Sequence, residues 1–142
     1  MAYELFGDEW AKAYGEMIRA SDAYNKAAAT WEWPMVFRVV KDPSVGLHED
    51  RAVYLDLWHG DCREARPAKA ADFDSAPYVV SGDVFTWKQV FDQKLDPLGG
   101  IMRGRLKLDK GQMAALAGYV LAAKHLVGAA TKVDTVFPEG VS

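Results

Sequence analysis

The chain has 142 residues, half of them apolar, and carries 17 basic against 20 acidic side chains for a net charge of −3. That length suits one domain with a core large enough to enclose a cavity, and the lack of a basic footprint argues against a nucleic-acid partner. No apolar run approaches the roughly 18–20 residues of a membrane span, the start Met1-Ala2-Tyr3-Glu4-Leu5 has no basic or apolar leader, and the lone Cys62 excludes an intrachain disulfide. A soluble, cytoplasmic protein without stable membrane insertion is expected.

The first helix signal is Gly7-Asp8-Glu9, with Asp8 expected to cap a backbone N–H and both acids favourably placed on the helix dipole. Tyr3, Phe6, Trp10, Ala13 and Met17 then form an apolar stripe at helical spacing. Ser21-Asp22 begins a short helix over residues 23–29, which gives way to the β-favouring Trp31-Glu32-Trp33. From Trp33 the period becomes two, with Met35, Phe37 and Val39 opposing Val36, Arg38 and Val40. Asp42-Pro43 and Gly46 mark a turn. A second strand over residues 52–59 puts Val53, Leu55 and Leu57 on one face, and Gly60-Asp61 links it tightly to a third strand over 62–68. Pro67 and the charges Arg63, Glu64, Arg66 and Lys69 place that third strand at a sheet edge.

Residues 70–75 read as a linker and 77–81 as a fourth strand. Asp83 caps a helix from Val84 to about Lys94, whose apolar face carries Trp87, Val90, Phe91 and Leu95. Asp96-Pro97 is another start signal, with proline at the first helical position, where its missing N–H costs nothing. A fifth strand over 103–109 alternates Arg105, Lys107 and Asp109 with Leu106 and Leu108. The last helix, from Gln112 to about Ala130, is apolar nearly all round, so it must be covered on several sides, cover a cavity or meet a partner. The folded unit is expected to span 1–133 and residues 134–142 to form a flexible tail. Periodicity alone gives an α+β fold with helices covering a sheet.

Residues 82–111 pack the most specific pattern. A Gly82-Asp83 helix start is followed by Lys94-Leu95, Pro97, an apolar turn, and Gly104-Arg105-Leu106-Lys107-Leu108 before Gly111. This stretch resembles the sterol carrier protein 2 family, and Glu9-Trp10-Ala11 with residues 23–28 resembles the helical start of its stand-alone microbial members. The resemblance covers nearly the whole chain. It implies a five-stranded, largely antiparallel sheet covered by helices on one face, an apolar tunnel between the layers, and a hydrophobic ligand such as a fatty acid, acyl-CoA or sterol-like lipid. The chain ends Gly140-Val141-Ser142, without the Ser-Lys-Leu address of peroxisomal members, which leaves a prokaryotic cytosol as the expected setting.

The large apolar residues Trp87, Phe91, Leu98, Ile101 and Met102, with Met113, Leu116 and Val120 on the last helix, are the candidate pocket lining, and a lipid-sized pocket is expected between sheet and helices. Gly99-Gly100 and the two thioethers suit an adjustable wall. Arg103 is the candidate head-group contact, and Arg38 and Arg105 also flank apolar segments. The strongest catalytic pattern, His59-Gly60-Asp61-Cys62, sets an imidazole, a carboxylate and a thiol at one turn, but turn neighbours often point to different faces. His48-Glu49-Asp50 lacks metal-ligand spacing, and Gly99-Gly100-x-x-x-Gly104 lacks the strand-to-helix context of a dinucleotide site. A non-catalytic protein with no cofactor and no metal is therefore expected. It binds or transfers a hydrophobic molecule, or alternatively serves as an accessory or dimerisation subunit of an enzyme complex, so a homodimer or enzyme partner is also an expectation.

Overall fold

The computed structural model describes residues 2–141; Met1 and Ser142, the outer ends of the expected folded unit and of the expected tail, lie outside them. In chain order the elements are β1 (Tyr3–Glu4), α1 (Asp8–Arg19), α2 (Asp22–Ala27), β2 (Met35–Val39), β3 (Arg51–Trp58), β4 (Asp61–Pro67), α3 (Ala70–Ser75), β5 (Tyr78–Gly82), α4 (Val84–Phe91), α5 (Pro97–Met102), β6 (Lys107–Lys110), α6 (Met113–Ala117), α7 (Val120–Ala129) and β7 (Thr135–Val136). The main sheet has the order β4-β3-β2-β5-β6; β2 and β5 run parallel and the other pairs antiparallel.

Strand alternation decides which side of the sheet becomes core. Met35, Phe37 and Val39 on β2, Val53, Leu55 and Leu57 on β3, and Tyr78 and Val80 on β5 are buried in the main cluster together with Trp10, Tyr14 and Ile18 of α1 and Trp87 and Phe91 of α4. The opposite face buries a smaller apolar cluster, Val36, Ala76 and Val79, with Tyr54 and Phe73 packed on it. β4 lies at the edge, where Pro67 and its charged neighbours suit an unpaired side.

Several local expectations are corrected. The cap position of α1 is Gly7, with no side-chain cap, and Asp8 sits inside the first turn. Phe6 adopts φ 59°, so Tyr3 and Phe6 precede the helix, and the buried stripe is Trp10, Tyr14 and Ile18 with Ala11 and Gly15. The expected linker 70–75 is α3, held by Asp72, whose carboxylate accepts the Lys69 backbone N–H at 2.6 Å. The fourth helix stops at Phe91, because Gln93 turns to φ 61° and the Lys94 N–H reaches back to Gln89 O. Strand pairing on the far edge begins only at Lys107. The single last helix is instead two, α6 and α7, separated at Gly118-Tyr119. Beyond Val133 the chain folds back, with Thr135 and Val136 pairing in parallel with Tyr3 and Glu4, and Val141 buried; this segment is not the flexible tail expected.

Candidate functional site

Between the sheet and the helices lies an apolar cavity of about 50 Å³. Its floor is Met35 and Phe37 of β2, Leu57 of β3 and Val80 of β5, the residues whose alternation points them toward the helices. Trp87 of α4 closes one wall, fixed by its indole N–H donating to Arg38 O at 2.9 Å and by an edge contact with Phe6. Tyr24 of α2 and Trp31 form another wall, and the Trp31 indole donates to Trp33 O at 2.6 Å. The roof comes from Leu98 and Ile101 of α5, Leu116 of α6, and Ala122, Ala123 and Leu126 of α7.

The lining is carbon and sulfur apart from tyrosine hydroxyls and indole nitrogens. The Tyr119 hydroxyl bonds Thr30 Oγ1 at 2.8 Å, outside the cavity, and the Tyr119 ring meets Trp31 edge-on at 4.9 Å. Burial raises the Tyr24 phenol well above its ordinary range, with the Cys62 thiol adding to the effect, so it stays neutral. A space with this chemistry offers an occupant apolar contact and removal from water, with no fixed charge. Its partly exposed lining residues, Pro97, Ile101, Tyr119 and Ala123, lie along α5 and at the start of α7, so the cavity opens there.

Of the eight candidate pocket residues, Trp87, Leu98, Ile101 and Leu116 line this cavity and four do not. Phe91 stands behind Trp87, its ring stacked on the indole at 5.5 Å. Met113 packs half-buried against the core. Met102 is rotated outward, since each helical step turns about 100° from its neighbour, and is 76% exposed; Val120 is 46% exposed because the break at Tyr119 resets the phase of α7. Arg103 caps the C-terminal end of α5 on the surface. Arg38 serves the opposite face of the sheet, where it bonds Ser81 and Asp109 and lies over Phe73. Arg105 is held by Gln89. Tyr24, Trp31, Tyr119 and the floor residues were not among the candidates. The floor was legible in the strand alternation. The others lie near turns, where periodicity carries no signal.

The catalytic pattern at the hairpin does not converge. Cys62 is fully buried, its thiol donates to Glu64 O, and burial pushes it up to about 12, partly offset by Arg19. A thiol so placed is protonated and a poor nucleophile. His59 faces the other way, with Nδ1 2.7 Å from Ala29 O and Nε2 3.3 Å from Glu32, and Asp61 accepts the Cys62 N–H. His48, Glu49 and Asp50 are exposed loop residues, and Asp50 is occupied by the Lys41 N–H.

Solved structures supply the wider comparison. A crystal structure of sterol carrier protein 2 is 45% identical to this chain, covers 92% of it and 99% of its own length, and superposes with a TM-score of 0.83. The chain belongs to the sterol carrier protein 2 family. A conserved hypothetical protein from Thermus thermophilus is 42% identical, with 96% of this chain and 94% of that one covered and a TM-score of 0.83. The sterol carrier protein 2 of Aedes aegypti, solved in complex with a C16 fatty acid, shares the fold at 12% identity and a TM-score of 0.54, with 89% and 98% covered. No protein-family model and no curated protein sequence matches the chain. In this sterol carrier protein 2 fold, the segment that carried the resemblance, residues 82–111, supplies Trp87, Pro97, Leu98, Ile101 and Leu106 to the cavity wall.

Proposed function

We propose that the protein binds and carries a hydrophobic small molecule, of fatty-acid, acyl-CoA or sterol-like type, in the cavity between its sheet and helices, without transforming it. The observation that supports this reading most is the lining. Side chains from eight elements converge on one space, and every charged group lies outside it. Family membership and the fatty-acid complex of the Aedes aegypti protein support it at the level of the fold. The removal of apolar ligand surface from water supplies the affinity, at roughly 25 cal/mol per Å² before the cost of ordering the ligand and opening the wall.

The cavity is smaller than the lipid-sized pocket expected. About 50 Å³ compares with roughly 300–1,000 Å³ for sites that enclose small-molecule ligands. Loading therefore moves the wall, and the short roof helices α5 and α6 and the start of α7 are the movable part, since the floor is held in the sheet ladder. The test is organic extraction of the natively purified protein followed by mass spectrometry, beside an unrelated protein purified in parallel. A near-stoichiometric lipid or apolar metabolite is the expected result. An empty protein that also fails to bind a fluorescent fatty acid would overturn the carrier reading in favour of an accessory subunit.

A further inference from the structure

A buried phenol is normally paired, because a hydroxyl left unbonded inside a protein forfeits the hydrogen bond it made to water. Tyr14 follows that rule and donates to Leu126 O at 2.7 Å. Tyr24 does not. It is 2% exposed, and its hydroxyl has no hydrogen-bond partner among the described residues. The Cys62 thiol lies close enough to raise the Tyr24 pKa, yet it donates to Glu64 O at 3.4 Å.

Where that hydroxyl points follows by elimination. No fully enclosed side-chain nitrogen or oxygen among the described residues lacks a partner, so the Tyr24 hydroxyl borders open space, and the space that Tyr24 lines is the cavity. Four lining side chains carry nitrogen or oxygen. The Trp31 and Trp87 indoles are committed to Trp33 O and Arg38 O, and the Tyr119 hydroxyl to Thr30. Tyr24 alone among them has a hydrogen bond to offer. A trapped water is a poor occupant, since it needs two or more polar partners and these side chains supply one. The phenol is also held in position: Ser21 Oγ accepts the Tyr24 backbone N–H, and Asn25 Nδ2 ties α2 to Gly60 O at 2.6 Å.

We propose that Tyr24 Oη is the polar anchor of the cavity and selects an apolar molecule whose buried end carries one neutral oxygen, as an alcohol, ketone or ester. The inference rests on the carrier reading and adds which end of the ligand enters. A carboxylate is disfavoured at this point, because no cation lines the cavity and one neutral donor does not offset the desolvation of a charge. An acid therefore keeps its charged end at the opening, beside the partly exposed Ile101 and Ala123, and makes no use of Tyr24.

The test is direct titration of wild type and Tyr24→Phe, followed by tryptophan fluorescence, since Trp31 and Trp87 line the cavity. The probes are dodecan-1-ol, dodecan-2-one, dodecanoate and the hydrocarbon diphenylhexatriene, and the readout is the ratio of each probe's affinities for the two proteins. Tyr24→Phe should weaken the alcohol and the ketone about five- to tenfold, one net hydrogen bond, and leave the other two within about twofold. The ligand-free thermal melt should be unchanged or raised, because the hydroxyl removed had no partner. A uniform loss across the four probes, no loss for the alcohol and ketone, or an equal loss for dodecanoate would overturn the proposal. So would a lowered melt of Tyr24→Phe, which would assign the hydroxyl to the fold. Binding of the probes without a selective loss leaves carriage standing, whereas no binding of any probe by wild type overturns carriage and this inference with it.

Discussion

Residue chemistry explains most sharply why the catalytic-looking hairpin is structural. β3 and β4 are joined by His59 and Gly60, with Trp58 paired to Asp61, and the two linking residues have φ 51° and 84°. Two consecutive positive φ values are what a type I′ hairpin requires, and Gly60 also passes against α2, where an added Cβ would stand 2.2 Å from Asn25 O. Gly60→Ala should therefore cost about 3 kcal/mol, from backbone strain and the clash together, measurable by urea unfolding. Asp72 is a second critical residue. It accepts from Arg66 at 2.7 and 3.0 Å and from Lys69 N, and the Arg66 hydrogen bonds, opposed by burial, lower its pKa. A lowered folded pKa contributes stability that is full above the ordinary aspartate range and is lost as pH falls through the folded value. Asp72→Asn should thus lose roughly 2 kcal/mol at neutral pH, and the gap from wild type should narrow in acid, read from melting temperatures across a pH series.

Among the elements, the break between α6 and α7 matters most. Continuous helix through Gly118-Tyr119 would have satisfied local pattern; instead Tyr119 leaves helical geometry at φ −127° and ψ 38°, its ring meets Trp31 and its hydroxyl bonds Thr30. That contact ties the start of α7 to the segment after α2 and forms part of the mouth. Tyr119→Phe removes one largely exposed hydrogen bond, worth about 1 kcal/mol, and keeps the ring contact. Fatty-acid exchange in stopped flow should speed up roughly fivefold, with the thermal melt changed little. An unchanged exchange rate would show that the mouth opens elsewhere.

At the scale of the whole molecule, the aromatic core and the cavity share one layer. Phe6, Trp10, Tyr14, Trp87 and Phe91 form a chain of ring contacts with centroids 5.0–6.5 Å apart, and Trp87 is its last member on the cavity side. The core end is fully buried and tied by ring contacts while the α5–α7 end is short and partly exposed, so expansion is expected at the mouth and not at the floor. Ala123 lines the cavity and is half-buried at that mouth. Ala123→Trp should fill the opening and lower fatty-acid affinity roughly tenfold or more while stability changes by about 1 kcal/mol, checked by fluorescence titration and thermal melt. No helix among the described residues is long and apolar enough to cross a membrane.

What the sequence determined by itself was local: the Asp83 and Asp96 caps, which accept from Thr86 N and Gly99 N, the Ser21 cap, the alternation that sorts β2 and β3 into core and outer faces, and the edge position of β4. Each depends on neighbours within a few residues, so composition and period suffice. The family resemblance in residues 82–111 added the sheet and helix arrangement. Tertiary structure alone decided that the last helix breaks at Tyr119, that Thr135 and Val136 return to pair with β1, and that Tyr24 and Trp31 face the cavity. Those outcomes depend on partners tens of residues away, and local propensity yields wherever a distant contact outweighs it.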